Sequence, residues 1–177
     1  MSTQPVYVRI ATENEAPYFR NRSAAEAVIS VVIDAQKQGW MDLHGFVVLP
    51  EALELVATPI KQGVAGLVAQ IEAETIPLLA ILLPNATGIW ERHFMQIPLA
   101  TQRALDARLA MLLLAPVASG IVDIAAAYPY SSANPRYFAT STVYTGFSKP
   151  PIIETAATEA APTVEPIPNP SEAPSVA

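Results

Sequence analysis

The chain of 177 residues is 51% apolar, enough for the core of one ordinary domain, but its 17 prolines crowd toward the C-terminus and indicate a tail. Ten basic side chains stand against twelve acidic ones up to Lys149, and this net charge of −2 disfavours, without excluding, a nucleic-acid binder, because such proteins gain affinity by neutralising phosphates. The absence of cysteine excludes a disulfide framework and a thiolate metal site.

The first third of the chain predicts a strand, a helix and a β-hairpin. The alternation of side chains in VYVRIA is typical of a strand. Ser23 is a good N-cap, and apolar residues at helical spacing follow it. Pro50 separates two β-rich runs. The predicted bounds are residues 6–11 for the strand, 24–38 for the helix, which stops at Gly39, and 40–49 and 52–57 for the hairpin strands.

The next part predicts a helix, a strand and another helix. The first of these helices spans residues 64–83 and is bent or interrupted at Pro77, the strand is IWERHFMQIPL at 89–99, and Thr101 caps the last helix, which runs to about Ala115. This order of elements predicts a ferredoxin-like α+β domain over residues 1–149, an antiparallel sheet with helices packed on one face. No uncharged stretch is long and unbroken enough to predict a transmembrane helix.

Residues 150–177 are rich in Pro, Ala and Glu and carry few large apolar groups. Such a segment buries too little surface to offset its chain entropy, so it is expected to be an extended or disordered tail. Held in place, a tail of this kind would lie extended against a partner protein.

Three stretches taken together resemble one protein family. LHGFVVLP with the strand after it, then IWERHF, then LLLAPVASGIVDIAAAYPYSSANPRY, are similar to the REP-associated tyrosine transposases of the HUH superfamily. The resemblance covers residues 6 to 138 and is most specific over residues 115–132. It implies a DNA-hairpin nuclease in which a His-x-His pair on the second hairpin strand holds a divalent metal and a tyrosine on the third helix attacks the phosphate.

The residues that the resemblance would assign to catalysis are absent. The family's M-P-N-H-x-H falls on residues 49–54, so the two metal-binding histidines are replaced by Ala52 and Glu54, and the nucleophilic tyrosine by Met111. A methyl group donates no lone pair, one carboxylate is too few for a hard cation, and a thioether does not attack phosphorus. The expectation is therefore no catalytic residue, no metal, no cofactor and no enzyme activity.

The remaining polar candidates favour structural interpretations. His44 and His93 match no metal spacing, the Glu51 and Glu54 pair is typical of a solvated turn, and Trp90 is expected to anchor the core or the sheet rather than to stack on a base. Four arginines could line a phosphate groove, but surface ion pairs are the favoured interpretation: Arg92, Arg103, Arg108 and Arg136.

In residues 111–128, MLLLAPVASGIVDIAAAY, which cover the later part of the third helix and the segment after it, Asp123 is the single charge. Contiguous apolar surface of this kind indicates a protein interface or membrane contact, although a stripe of Leu109, Leu112, Leu113 and Pro116 would also complete an ordinary core. The interface candidates are Met111, Leu112, Leu114, Ile121, Ile124, Pro151, Ile152 and Ile153.

The sequence therefore predicts an inactive transposase-like domain that serves as a structural or accessory subunit of a larger protein assembly. The partners are expected to be other protein subunits, and the location cytoplasmic, with a membrane-associated complex as one assembly that would suit the apolar surface. The alternative is a DNA-hairpin-binding regulator that does not cleave, which requires a contiguous basic groove. A third hypothesis, a nuclease with relocated ligands, requires metal-dependent nicking.

Overall fold

A single antiparallel sheet and three long helices follow one another in the computed structural model, which describes residues 4–147. The chain divides into two units, Met1–Phe147 and Ser148–Ala177, and the predicted tail lies outside the described residues. The main elements are β1 (Val6–Ala11), α1 (Arg22–Lys37), β2 (Met41–Leu49), β3 (Ala52–Pro59), α2 (Gly63–Leu82), β4 (Met95–Pro98) and α3 (Gln102–Ala118).

The strand order across the sheet is β2-β3-β1-β4, and each neighbouring pair is antiparallel. With α1 between β1 and β2, and α2 between β3 and β4, this is the ferredoxin-like arrangement. The predicted α+β class is therefore confirmed. The hairpin of β2 and β3, with its turn at Pro50 and Glu51, was also predicted correctly.

One face of the sheet is covered by α1 and α2. Successive side chains on a strand point to opposite faces, so alternate apolar positions of each strand enter this core. They meet the apolar stripes of the two helices, which is the packing that the helical spacing in the sequence predicted. The strand residues are Val6, Val8 and Ile10 of β1 with Leu53, Leu55 and Ala57 of β3, and the helix residues include Val28, Val32, Leu67 and Ile71.

The other face of the sheet is covered by α3, so the helices pack on both faces and not on one. Tyr7 and Val56 belong to this second core, together with Leu105 and Leu112 of α3. The close approach of α3 explains Gly45 in β2, because a Cβ atom there would lie 2.8 Å from Leu109 Cδ2. The strands carry apolar residues on both faces of the sheet, so the second face also needs a covering layer.

The segment after α3 returns along the free edge of β2. The Val48 amide donates to the Tyr130 carbonyl at 2.8 Å, and the Ser132 amide donates to the Phe46 carbonyl at 3.0 Å. Farther along, the Thr142 amide donates to the Leu43 carbonyl at 2.7 Å. These bonds satisfy backbone groups that an open edge would leave free to pair with another chain.

Two predicted boundaries are wrong. Asn21, not Ser23, caps α1, and its side chain accepts a hydrogen bond from the Ala24 amide at 3.1 Å. The strand predicted over 89–99 is reduced to Met95–Pro98, because Trp90 forms an isolated bridge to Thr12, packs on Phe19 and is followed by a bend.

Helix α2 runs through Pro77 without interruption. Among the described residues it is the one helix whose length and composition would allow it to cross a membrane. Core helices of soluble proteins meet the same criterion, and α2 packs against α1 and buries Leu67, Ile71 and Leu79.

We expect Leu112→Ala to lower the free energy of unfolding by about 2–5 kcal/mol, because its side chain is buried between α3 and the sheet and truncation leaves a cavity. Leu114→Ala, two positions away on the exposed side of the same helix, is the matched control and should change it by less than about 0.5 kcal/mol. Urea unfolding followed by circular dichroism measures both. Equal costs for the two variants would contradict this placement of α3.

Candidate functional site

The two positions that the resemblance assigns to the metal lie on β3, on the sheet face that α3 covers. Glu54 and Val56 are two residues apart and therefore share a face, and Val56 belongs to the second core. Ala52 shares this face by the same alternation and is fully buried. The candidate site thus lies between the sheet and α3. The prediction that Glu54 lies in a solvated turn is therefore wrong.

The positively charged side chain of Arg9 lies next to Glu54. The register of β1 and β3 places Arg9 directly opposite Glu54, and Arg9 Nε lies 3.4 Å from Glu54 Oε1. Both side chains are mostly buried, with 24% of Arg9 and 12% of Glu54 exposed. A second carboxylate, Glu15 Oε1, lies 3.9 Å from Arg9 Nη2 at the rim of the cluster.

Tyr7 and Arg108 complete this cluster. The Tyr7 hydroxyl is hydrogen-bonded to Glu54, and the Arg108 guanidinium lies over the Tyr7 ring, 4.6 Å from its centroid. Burial, followed by the negative charge of Glu54 and the hydrogen bond to it, raises the pKa of Tyr7, while Arg9 and Arg108 oppose that rise. Tyr7 is therefore held in its protonated form, as a donor to Glu54 and not as a nucleophile.

These residues do not fit a divalent metal. Glu54 already faces Arg9 and Tyr7, and the neighbouring position on the same face, Ala52, offers a methyl group. A hard cation takes several oxygen or nitrogen ligands. No group of three or more His, Cys, Asp or Glu side chains suited to a metal occurs in the part of the chain that the structure describes.

Met111, at the position that corresponds to the nucleophilic tyrosine, points away from the sheet. Its side chain is 59% exposed, whereas the neighbouring Leu112 is 1% exposed and packs in the second core. The helix therefore turns its apolar stripe inward, as the core interpretation predicted, and leaves other apolar residues outside. Neither side chain contributes an atom that could attack a phosphate.

The structure exposes four of the apolar interface candidates and buries a fifth. Met111, Leu114, Ile121 and Ile124 are exposed, and Leu114 is 52% exposed. Leu112 was wrong as an interface candidate, because it is needed to fill the space between α3 and the sheet. Residues 151–153 lie outside the described residues.

His44 is a structural residue, as the sequence favoured. Its Nδ1 lies 2.8 Å from the Thr142 carbonyl oxygen and its Nε2 lies 2.8 Å from Thr58 Oγ1, and the ring meets Tyr144 edge-on. Burial lowers the pKa of His44, opposed by the hydrogen bond to Thr142 and by the charge of Asp42. The ring thus ties the returning C-terminal segment to β2 and β3 as a neutral group.

Other polar candidates also serve the fold. Trp90 Nε1 donates to Thr75 Oγ1 at 2.9 Å, so the expected core anchor is confirmed. Ser131 is fully buried in a bridge to Val47, and Ser132 bonds Phe46, so both belong to the covered edge of β2. Arg136 lies 3.8 Å from Glu26, which is the predicted surface pairing.

The sequence interpretation missed Tyr7 and Arg9. Arg9 is the single charged residue of β1, and Glu54 is the single charged residue of β3. A charge in each of two strands expected to pair was the signal that could have found the cluster, but the register that brings them opposite each other follows from tertiary structure.

Comparison with known proteins identifies solved structures with a similar fold. No protein-family model matches the sequence, and no curated protein matches it. Among solved structures, the chain is similar to a REP-associated tyrosine transposase bound to a REP hairpin, with 14% identity and a TM-score of 0.58 over 75% of this chain and 78% of that one. It is also similar to a protein of Deinococcus radiodurans proposed to be a transposase, with 12% identity and a TM-score of 0.49 over 63% of this chain and 90% of that one. The similarity to the first of these structures shows that the chain has a transposase-like fold.

We expect the Arg9 and Glu54 side chains to be energetically coupled. Either Arg9→Ala or Glu54→Ala should lower the free energy of unfolding by about 1–3 kcal/mol, because each leaves a mostly buried charge without its partner. The double variant should cost less than the two single variants together, by about 1 kcal/mol or more. A double-mutant cycle from urea unfolding measures this coupling. Purely additive costs would show that the pair does not stabilise the site.

The stability of the domain should depend on the protonation of His44. Burial lowers the pKa of His44 in the folded chain, so the unfolded chain takes up a proton before the folded chain does as the pH falls below about 6.5. The stability conferred by the neutral ring is therefore lost as the pH falls through the pKa of the folded state. Unfolding free energies of the native chain and of His44→Gln, measured at about pH 7.5 and about pH 5, should differ more at neutral than at acidic pH. His93→Gln, at an exposed histidine, is the matched control for the substitution itself. An unchanged slope in His44→Gln would contradict this role.

Proposed function

We propose that this chain is a structural or accessory subunit of a larger protein assembly, built on a transposase-like fold whose chemistry has been lost. The observation that carries the proposal is the Arg9–Glu54 ion pair beneath Tyr7, at the place where the resemblance puts the metal pair. Arg9 supplies a positive charge at this place, but unlike a metal ion it offers no coordination position to a ligand. The site therefore holds the fold together where a nuclease would hold a metal.

The loss extends to each group that the family's reaction would need. Ala52 replaces one ligand, Glu54 is engaged by Arg9, and Met111 replaces the nucleophile. A tyrosine is present close by, but the raised pKa of Tyr7 keeps its hydroxyl protonated and bonded to Glu54. These features support a chain without nuclease activity.

The exposed apolar side chains support a role in assembly. Met111, Leu114, Ile121 and Ile124 lie within fourteen residues of one another, on α3 and the turn after it. Soluble monomers seldom expose several large apolar groups in one short segment, and their usual meaning is a protein interface. Residues 150–177 enter the proposal as a second contact on account of their composition.

The alternative role, a regulator that binds a DNA hairpin without cutting it, is favoured by the similarity to a transposase described with a bound hairpin. The charges oppose it. Arg9 is neutralised by Glu54, and Arg22 and Arg136 share Glu26 at 2.9 and 3.8 Å. Cations that pair internally release fewer counterions from DNA, so their contribution to affinity is small.

Isolation under native conditions should recover the chain with other proteins. Met111→Glu with Leu114→Glu should remove those proteins, because two charges would be placed in the proposed contact, whereas the matched control Ile76→Glu on the exposed side of α2 should retain them. Deletion of residues 151–177 should weaken the association. Mass spectrometry of the co-isolated proteins measures each outcome.

Two results would contradict the proposal. One is recovery of the native chain as a solitary monomer, with or without residues 151–177. The other is DNA activity of the purified chain: retention of hairpin DNA in a gel shift that weakens with salt would favour the regulator, and Mg²⁺- or Mn²⁺-dependent nicking would favour a nuclease.

A further inference from the structure

We propose that the outer face of α3 is a self-complementary surface that binds the same face of a second copy of this chain, with the two helices antiparallel. This inference rests on the proposed function, since it names one partner of the same apolar surface. The face consists of residues spaced three and four apart on the side of α3 that points away from the sheet: Arg103, Ala107, Ala110, Met111, Leu114 and Ala118.

The shape of this face suits close helix packing. Its alanines carry only a methyl group, so two backbones can approach to about 8–10 Å, while Met111 and Leu114 supply the large apolar groups. The exposed residues of the face extend from Ala107 to Ala118, and its large side chains lie near the middle. A two-fold axis at that middle would set Met111 of one copy against Leu114 of the other, with Ala107 and Ala118 facing each other at the two ends.

Charges of opposite sign that have no ion-pair partner among the described residues lie before and after the apolar part of the face, and Asp106, the other exposed acidic residue near its N-terminal end, accepts a hydrogen bond from Gln102 Nε2 at 2.7 Å. Arg103 lies at the N-terminal end, and Asp123 follows the C-terminal end of α3. Both are exposed, and within residues 4–147 neither has an ion-pair partner. An antiparallel pair would therefore set each Arg103 against the partner copy's C-terminal end and its aspartate.

The helix dipole favours the same arrangement. Arg103 is the second residue of α3, where the free amide groups carry a partial positive charge and disfavour a cation. The last turn of α3 contains no basic residue to balance the partial negative charge of its carbonyl groups. Antiparallel pairing moves each Arg103 toward the carbonyl end of the other α3, which relieves both mismatches.

The expected pair is weak. A contact built on one helix from each copy buries less than the roughly 1,200–2,000 Å² of a standard stable interface, so self-association in the micromolar range is expected. The exposed apolar side of α2 has no such pair of end charges, and nothing there selects an occupant.

Sedimentation velocity of the purified full chain over a range of concentrations tests the pairing. We expect the native chain to shift from one copy to two as concentration rises, and Met111→Glu with Leu114→Glu to remain a single copy. Arg103→Glu alone and Asp123→Arg alone should each weaken the association at least tenfold. The double variant Arg103→Glu with Asp123→Arg should restore it, because the exchanged charges again face each other across the two-fold axis. Ile76→Glu on α2 is the control, and circular dichroism checks that every variant is folded.

A native chain that stays a single copy at all concentrations would overturn the pairing, and so would a dimer that the α3 substitutions leave unchanged. A dimer that Met111→Glu with Leu114→Glu abolishes but that the charge exchange does not restore would overturn the antiparallel arrangement. The proposed function fails separately, when native isolation yields the chain with no other protein. A single copy in sedimentation that still co-isolates with other proteins through α3 would overturn the self-pairing alone.

Discussion

The antiparallel register between β1 and β3 is the constraint on which the candidate site depends. It sets Tyr7 opposite Val56 and Arg9 opposite Glu54, so that one face of two central strands carries an apolar pair followed by an ion pair. A shift of one residue in either strand would send the two side chains of that strand to the other face and separate both pairs. The apolar residues of that face then require a cover, and the charges require each other.

Helix α3 is the cover, and its position explains why Glu54 needs a balancing charge from within the domain. Beneath α3, Glu54 is mostly withdrawn from water, and an unpaired carboxylate there would be costly. Arg9 supplies the compensating charge from the adjacent strand, and Tyr7 supplies a hydrogen bond. Arg108 of α3 closes the cluster by packing over the Tyr7 ring. The four side chains thus form one cluster of contacts between the two strands and α3.

Much of the fold could be predicted from the sequence because its signals are local. The spacing of Val28 and Val32 in α1 and the turn at Pro50 depend on residues close in the chain, and both elements were predicted correctly. The layer occupied by α3, the end of the strand near Trp90 and the role of Arg9 were not found. Each depends on a contact between residues far apart: α3 with β2, Trp90 with Phe19, and Arg9 with Glu54. Among the interface candidates, helical spacing already placed Leu112 on the core stripe and Met111 off it, and the structure confirms that division.

The outer apolar residues of α3 are not required for its packing on the sheet, and α2 likewise exposes Ile76, Leu78 and Ile81. Helix α1 also packs one side on the sheet, and its outer side carries charges that pair with each other, Arg22 with Glu26 and Lys37 with Asp34. The second core of α3 is filled by inward residues such as Leu105 and Leu112, so Met111 and Leu114 add nothing to it. Charged or polar residues would serve folding equally well at those two outer positions, as they do on α1. Exposed apolar side chains promote unwanted association, and the proposed contact through α3 would cover these two.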